Sequence, residues 1–522
     1  MDLSQITNTI ETSAHRVVEA LSNKQGLERI GKAVSITVAT YYVTSKLYDA
    51  YFSPLSSIPG PFYGKFFRIR KANLDKPLGT AWEKLRDYHE KYGPIVRLGP
   101  SYISIADKDM LKQILVKDDL QKAPNYDNLA VGGNKKTMFS TRDKIFHKQR
   151  RRVVSPAFSM KYLGSLEPFM DEMTKNFIRK IDSDIKETKN PDGYGTVDMW
   201  VLFQCLALDI IGETAFGRTF NMIENKDHLV PRTINDAMKT NQYLMQDPVI
   251  APLLTKLPST LYPTDRQKLQ QFMKEVILER LAGGESARRN DILQILIDTQ
   301  HAASDEDRLT ADAIASETVL FLVAGSETTS NTSGFALIEL LRQPDKLAKL
   351  RAEVDQVPLE KGEVFKHEQL KHLPYLNAVI NETLRIDWIG TGGIDRIADK
   401  DVVLAGKLFV PKGTRVNCSV YTAQMSPEYW KNPKEFMPER WLEGADPAPE
   451  MDAYYPFSAG SRNCIGKNFA MQEMRISLAT LVKHYDFKTI PQEMEDSKEV
   501  RQYLTLQLKK NSFKVLMKRR NE

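Results

Sequence analysis

The sequence predicts a mainly α fold with a small β region, and three observations carry that expectation. From about Lys144 to Val357 apolar residues recur mostly at helical spacing, with breaks at Pro156, Pro191, Gly217, Pro231, Pro248 and Pro258. The longest such stretch starts at Thr310, an N-cap residue type, and runs to Arg342 before Gln343–Pro344; at 1.5 Å per residue it would be ~50 Å long, enough to cross a whole domain. Strand patterns are few and short. Two alternating runs flank Gly99–Pro100–Ser101 within residues 94–106, and others surround Pro411–Lys412–Gly413 within 401–420. A last amphipathic helix is expected over about 466–484, after a loop-rich stretch at 424–463.

Bulk properties narrow the class. The chain has 522 residues, 42% hydrophobic and 27% charged. That suits an ordinary globule with a large core, and at about 150 residues per domain it allows two or three domains or one large one. A net charge of +6 suits an acidic protein partner or an anionic membrane surface and is too weak to argue for nucleic acid. The three cysteines, Cys205, Cys418 and Cys464, make neither a disulfide framework nor a Cys-rich zinc site, and they fit a reducing compartment.

The N-terminal region opens with a polar stretch over 1–32, read as a short amphipathic helix broken near Lys24–Gly26. Ala33 to Ser45 is a run of 13 uncharged residues, shorter than the ~20 a spanning helix needs. Extending it to Phe52 takes in Lys46 and Asp49, which can snorkel or pair on one helix face. Both a membrane anchor and an interfacial or buried helix remain open. No small-residue cleavage site stands out. Pro54, Pro59, Gly60 and Pro61 then form a stiff, non-helical hinge, followed by Lys65, Arg68, Arg70 and Lys71.

Three segments carry chemistry. In Phe457–Ser–Ala–Gly460–Ser–Arg462–Asn–Cys464–Ile–Gly466 a cysteine sits at the edge of a helix N-terminus, where amide donors are expected to lower a thiol's pKa. Arg462 offers a cation to a nearby anion, and a thiolate beside a cation is what a haem iron and a haem propionate require. In the middle of the long helix, Ala324–Gly325–Ser326–Glu327–Thr328–Thr329 is polar and weakly helical, which suggests a local kink at a site. Glu382–Thr–Leu–Arg385 is an i,i+3 charge pair on an apolar helix, a pattern that usually decorates a solvated face.

Together these segments resemble the cytochrome P-450 superfamily, in its microsomal eukaryotic form. FSAGSRNCIG is similar to the haem-binding loop, ETLR to the family's ExxR pair, and Phe436–Met–Pro438–Glu439–Arg440–Trp441 to the segment whose arginine completes a structural triad, here Glu382, Arg385 and Arg440. AGSETT resembles the acid–alcohol motif of the oxygen-binding helix, and Asp209–Gly217 resembles a further family helix. The resemblance spans roughly residues 54–515 and implies one large catalytic domain at 65–522, behind a tail and membrane helix at 1–52 and a hinge at 53–64.

The resemblance also implies roles. Cys464 would be the axial ligand of haem b, with Phe457, Gly460, Arg462 and Gly466 in its loop. Thr328 would hydrogen-bond dioxygen, Glu327 would relay protons, and Gly325 would leave room for dioxygen. Arg151, His147 and Arg396 are the further propionate candidates; His147 departs from the tryptophan usual at its place. The loop after Arg385, Ile386–Gly393, lacks the proline pair of many relatives. Apolar pocket candidates are Phe321, Ala324, Trp388, Ile389 and Leu504, with Tyr243, Leu244 and Met245.

The implied reaction is insertion of one oxygen atom of O2 into a lipophilic small molecule: a steroid, fatty acid or secondary metabolite. No room for flavin domains and no nicotinamide fingerprint is seen, so electrons from NADPH are expected through a separate cytochrome P-450 reductase, docking near Lys467 and Arg475, with cytochrome b5 as a further implied donor. The expected location is the endoplasmic reticulum membrane with the catalytic domain facing the cytosol. A haem-thiolate isomerase or dehydratase and a non-catalytic haem protein are the alternatives; Glu327 and Thr328 favour the monooxygenase.

Overall fold

The computed structural model describes residues 24–520 apart from 70, 130–135, 226–233, 235–264 and 361. Tyr243, Leu244, Met245, Pro231, Pro248, Pro258 and the tail before Lys24 lie outside the described residues. The architecture is mainly helical with small sheets, as the periodicity predicts.

The central helix runs from Ala311 to Arg342, 32 residues, and the Thr310 hydroxyl accepts the Ala313 N–H as its N-cap. The helix is unbroken through Ala324–Thr329. Its hydroxyls bond back along the helix: Ser326 donates to Leu322 O at 2.7 Å and Thr332 to Thr328 O at 2.8 Å. Two glycines on this helix admit the neighbouring helix Met199–Ile211 at close range. A Cβ on Gly334 would lie 2.6 Å from the Trp200 ring, and one on Gly325 would lie 3.0 Å from Ile211 Cδ1. The segment Met199–Phe216 is apolar enough to cross a membrane but is 89% buried, which makes it a core helix.

The largest sheet has five strands in the spatial order Ile95–Gly99, Tyr102–Ile105, Arg415–Cys418, Ile394–Ile397, Gln121–Lys122. The first two form the expected hairpin, with Ile95 opposite Ile105. Tyr102–Ile105 then runs parallel to Arg415–Cys418. The last pair places Lys122 directly opposite Arg396. A three-stranded sheet of Gly195–Asp198, Lys514–Arg519 and Tyr485–Lys488, which the sequence reading did not anticipate, closes the C-terminal end of the chain.

The N-terminal helix extends from Lys24 to Tyr51. Lys46 and Asp49 pair on one face at 3.8 Å, as their spacing predicts. Its C-terminus is held by Arg97, a buried residue whose guanidinium donates to Asp49 O, Ala50 O and Ser53 Oγ. A cation on the last carbonyls complements the helix dipole. The proline hinge is packed rather than loose: Arg97 N–H donates to Pro59 O at 2.7 Å, and a Cβ on Gly60 would sit 2.3 Å from Arg97 O.

Candidate functional site

The cysteine segment is a tight loop ahead of the helix Lys467–His484. Cys464 N–H donates to Phe457 O at 2.8 Å, closing the loop on itself. Gly460 has a φ of +70°, and a Cβ there would lie 2.0 Å from Leu115 O, so the position requires glycine on two counts. Gly466 is less constrained: its Cβ would meet Cys464 Sγ at 3.9 Å. Arg151, from the helix Lys144–Val154, donates to Ser461 O and, at 2.7 Å, to Asn463 O. It therefore braces the loop from the side.

Cys464 is accessible from the cavity that it lines. Burial pushes its thiol up, against the Gly466 N–H and the charges of Arg151 and Lys467. The expected lowering of this pKa by the helix N-terminus is thus not met by the polypeptide alone, because desolvation outweighs the donors. A bound metal cation deprotonates a coordinating thiol outright.

The cavity measures about 340 Å³. Cys464, Phe457 and Gly466 form one wall; Phe321, Ala324, Gly325 and Thr328 of the central helix form another. Trp388 and Ile389 contribute from the loop after Arg385, and Phe139 and Phe158 from the other side. Trp388 Nε1 is satisfied by Pro456 O at 2.9 Å, which leaves its ring as apolar lining. Leu504 is not among the lining residues. It occupies the turn between Val500–Tyr503 and Thr505–Leu508 at a φ of +74°, a position set by the hairpin.

Among the described residues four basic side chains also line the cavity, Lys122, His147, Arg151 and Arg462, and no carboxylate does. Arg462 donates to Thr141 O at 2.9 Å. His147 is buried, not solvated, and its pKa falls to about 3 through desolvation and then through Arg462, Lys122, Arg151 and Arg396. Burial, Arg396 and Arg462 likewise hold the Lys122 ammonium well below its usual range. Like charges directly opposite across two strands are destabilising, and Lys122 and Arg396 are such a pair. Arg396 Nε is buried without a hydrogen-bond partner.

This arrangement fits the haem that the sequence resemblance implies. A soft ligand sits on an apolar wall, and a concentration of basic side chains, Lys122 and Arg396 buried and Arg151 and Arg462 half-buried, has no carboxylate beside it in the described lining, where propionates would be required. Lys122 was not among the sequence candidates. A single lysine in LQKAPNY carries no signal until strand pairing sets it against Arg396.

On the central helix, Thr328 faces the cavity while its hydroxyl donates to Ala324 O at 2.7 Å. Thr329 and Thr332 add two polar groups to the same wall that the sequence reading did not single out. Glu327 is buried beside the cavity rather than in its lining. Burial pushes its carboxyl up to about 7 against an Asn331 side-chain hydrogen bond, and its Oε2 has no partner. The missing Cβ of Gly325 points at Ile211, so helix packing accounts for the glycine as directly as space for dioxygen does.

Glu382, Arg385 and Arg440 do meet, below the cavity and away from solvent. Glu382 and Arg385 are both 0% exposed, which excludes a surface pair. Arg385 makes a fork to Glu382 at 2.9 and 2.8 Å. Arg440 Nε, Trp441 Nε1 and Met437 N–H complete the carboxylate's hydrogen bonds at 2.9–3.0 Å. The remaining Arg385 donors reach Gln424 O and Pro433 O, both at 2.8 Å. The group ties the helix Pro374–Ile386 to the loop that leads into the cysteine segment.

On the outer face Lys467 is exposed, with its ammonium over the Phe457 ring. Arg475 turns inward to Asn377 Oδ1 at 2.8 Å and is half-buried, so it offers little to a docking partner.

A family model described as Cytochrome P450 matches residues 54–517. The chain is 32% identical over 502 residues to cytochrome P450 monooxygenase FUS8 of Gibberella moniliformis, an alignment covering 94% of each chain. It is 35% identical over 470 residues to cytochrome P450 monooxygenase acrD of Aspergillus aculeatus, covering 87% of this chain and 90% of that one. With tryprostatin B 6-hydroxylase of Aspergillus fumigatus it shares 30% identity over 472 residues, 88% of this chain and 80% of that one.

Proposed function

The chain belongs to the cytochrome P450 family and is a monooxygenase of it, and from that premise we propose that it hydroxylates a lipophilic secondary metabolite, with Cys464 as the axial ligand of haem b. The observation that carries the site assignment is the placement of Cys464 and Thr328 on two walls of one cavity whose described lining also holds Lys122, Arg151 and Arg462 and no carboxylate. The relative named as a 6-hydroxylase and the predominantly apolar lining support the reaction and the substrate class. A steroid or fatty acid fits the same lining.

When bound, the haem supplies the activation of dioxygen, and the polypeptide supplies orientation, water exclusion and protons. Cys464 Sγ donates electron density from its wall. Arg462 and Arg396 would set positive charge against the propionates, and Lys122 and the neutral His147 would offer them hydrogen bonds, with Arg151 holding the loop. Thr328 Oγ1 turns from Ala324 O to donate into the cavity. Glu327 holds and passes the proton that Thr328 delivers. Phe321, Ala324, Trp388 and Ile389 position an apolar substrate and keep water out.

Electrons come from NADPH through a separate cytochrome P-450 reductase docking near the exposed Lys467, with cytochrome b5 as a second donor. The N-terminal helix, whose Ile36, Val38, Tyr41 and Tyr42 are all exposed, rests in or crosses the endoplasmic reticulum membrane. It forms, with the tail, an anchor unit at 1–52 ahead of the hinge at 53–64 and the catalytic domain at 65–522.

The test is reconstitution of the haem-loaded protein with the reductase and a library of lipophilic metabolites. NADPH consumption and oxygenated product should rise together with one or more of them. Conversion of a hydroperoxide without reductase or NADPH would favour the isomerase alternative instead.

A pH prediction follows from Glu327. Its carboxyl keeps its proton below about 7 and loses it above. In the window between the ordinary carboxyl value of 4.5 and 7 the folded chain holds a proton that the unfolded chain has released, so this group's contribution to stability falls as pH rises. As a proton donor it makes product formed per NADPH decline as pH rises through about 7. Glu327→Gln should lower coupled turnover by about 10²-fold and remove that limb. A glutamine variant with the parent coupling and pH profile would remove Glu327 from the relay.

A further inference from the structure

Glu317 lies one helical turn before Phe321 on the central helix, is 1% exposed, and has no part in the roles assigned above. Its Oε1 accepts the Met138 N–H at 2.9 Å and lies 3.3 Å from Arg150 Nε. Burial pushes the carboxyl up to about 7 against the pull of Arg150 and that N–H. The acceptor belongs to the helix that carries Thr328, and the donor belongs to a turn that roofs the cavity through Met138 and Phe139.

That turn is closed within itself. Thr137 N–H donates to Ser140 Oγ at 2.9 Å, Ser140 N–H to Thr137 Oγ1 at 3.1 Å, and Thr141 N–H to Thr137 O at 3.0 Å. It is therefore braced from within. Among the described residues two hydrogen bonds fix its tip to the rest of the molecule, Met138 N–H to Glu317 and Lys122 Nζ to Phe139 O, while Arg462 holds its far end through Thr141 O. Lys122 is committed to the cationic cluster, which leaves Glu317 as the mount on the substrate side. On that side Phe158 stands edge-on to Phe321 with ring centroids 5.4 Å apart, so a displaced turn widens a cavity bounded by rings.

We propose that Glu317 is a specificity-determining positioning residue: with Arg150 it pins the Thr137–Ser140 turn to the central helix and so limits the size of molecule that the cavity admits. The inference rests on the monooxygenase reading only in what the cavity is for; the pinning itself does not require haem.

The test compares Glu317→Gln with the double variant Glu317→Leu/Arg150→Met, which removes both charges and leaves neither buried alone. Amide exchange is followed in a peptide covering residues 137–142. Soret titration of the haem-loaded proteins gives the affinity ratio of a bulky azole, clotrimazole, to imidazole. In the double variant exchange should accelerate about tenfold and the clotrimazole-to-imidazole ratio should change by about tenfold, the size expected for losing a hydrogen bond to a charged group. Glu317→Gln, whose amide oxygen still accepts from Met138, should stay near the parent in both.

A double variant that only melts earlier, with parent exchange and parent azole ratio, reduces Glu317 to a structural ion pair and overturns the proposal. A glutamine variant no better than the double variant also overturns it. Loss of the thiolate spectrum in the parent protein would instead sink the haem assignment while leaving the exchange result to be judged separately.

Discussion

Arg385→Ala should lose most of the yield of folded, haem-loaded protein and melt well below the parent. The substitution leaves Glu382 fully buried with two of its hydrogen bonds gone, and it orphans the Gln424 and Pro433 carbonyls that Arg385 now satisfies. Breaking a buried pair by removing one partner costs about 3–5 kcal/mol, and a native domain has only about 5–15 kcal/mol in total. Arg440 does not compensate, because its Nε already bonds Glu382 Oε1 and its other nitrogens face Lys431 O and Asn432 O. Lysine is no substitute either, since a point ammonium cannot make the two-pronged fork. Soluble yield, thermal unfolding and limited proteolysis of Arg385→Ala and Arg385→Lys measure the effect. A variant that melts with the parent would mean that the triad is dispensable.

Gly460→Ala should remove most of the bound haem while leaving the helical fold in place. The left-handed conformation costs a non-glycine residue roughly 1–2 kcal/mol. Ser458, in the same loop at a φ of +58°, shows that such a conformation is tolerated there in itself. What distinguishes Gly460 is the Leu115 carbonyl, 2.0 Å from where the Cβ would be; backbone cannot swing aside as a side chain can. The loop must therefore shift, and Cys464 is four residues on, tied to Phe457 O within the same loop. Haem content per protein, with circular dichroism as the control for folding, is the measurement. Full haem content would show that the loop relaxes without moving the sulfur.

Much of this molecule is legible in its sequence, and the reasons are local. The N-cap at Thr310 and the stop at Arg342 are set by residues within a turn of the helix ends, so they fall where the pattern puts them. The hairpin at residues 94–106 follows from two alternating runs around a turn. The triad needed more than spacing, since an i,i+3 pair alone belongs on a surface; Arg440 downstream is what moves it inside.

Non-local contacts are what the sequence hides. Lys122 becomes a site residue through pairing with a strand more than two hundred residues away, and Glu317 through a loop amide. The Cys464 environment was misjudged for the same reason. Helix-end donors can be read from the chain, but the degree of burial that outweighs them depends on the whole fold. Leu504 was assigned to the cavity by its place in the chain, whereas it sits in a hairpin turn and is not among the described lining residues. In the central helix the weak formers do not break the helical run, and their hydroxyls bond to backbone carbonyls a turn earlier.

The central claim is that Cys464 binds haem iron as a thiolate, and the carbon monoxide difference spectrum of the dithionite-reduced protein tests it most directly, with Cys464→Ala as control. The account predicts a strongly red-shifted Soret band in the parent protein that is absent from the variant. A band at the shorter wavelength of histidine-ligated haem in freshly purified parent protein, or the red-shifted band persisting in Cys464→Ala, would contradict it.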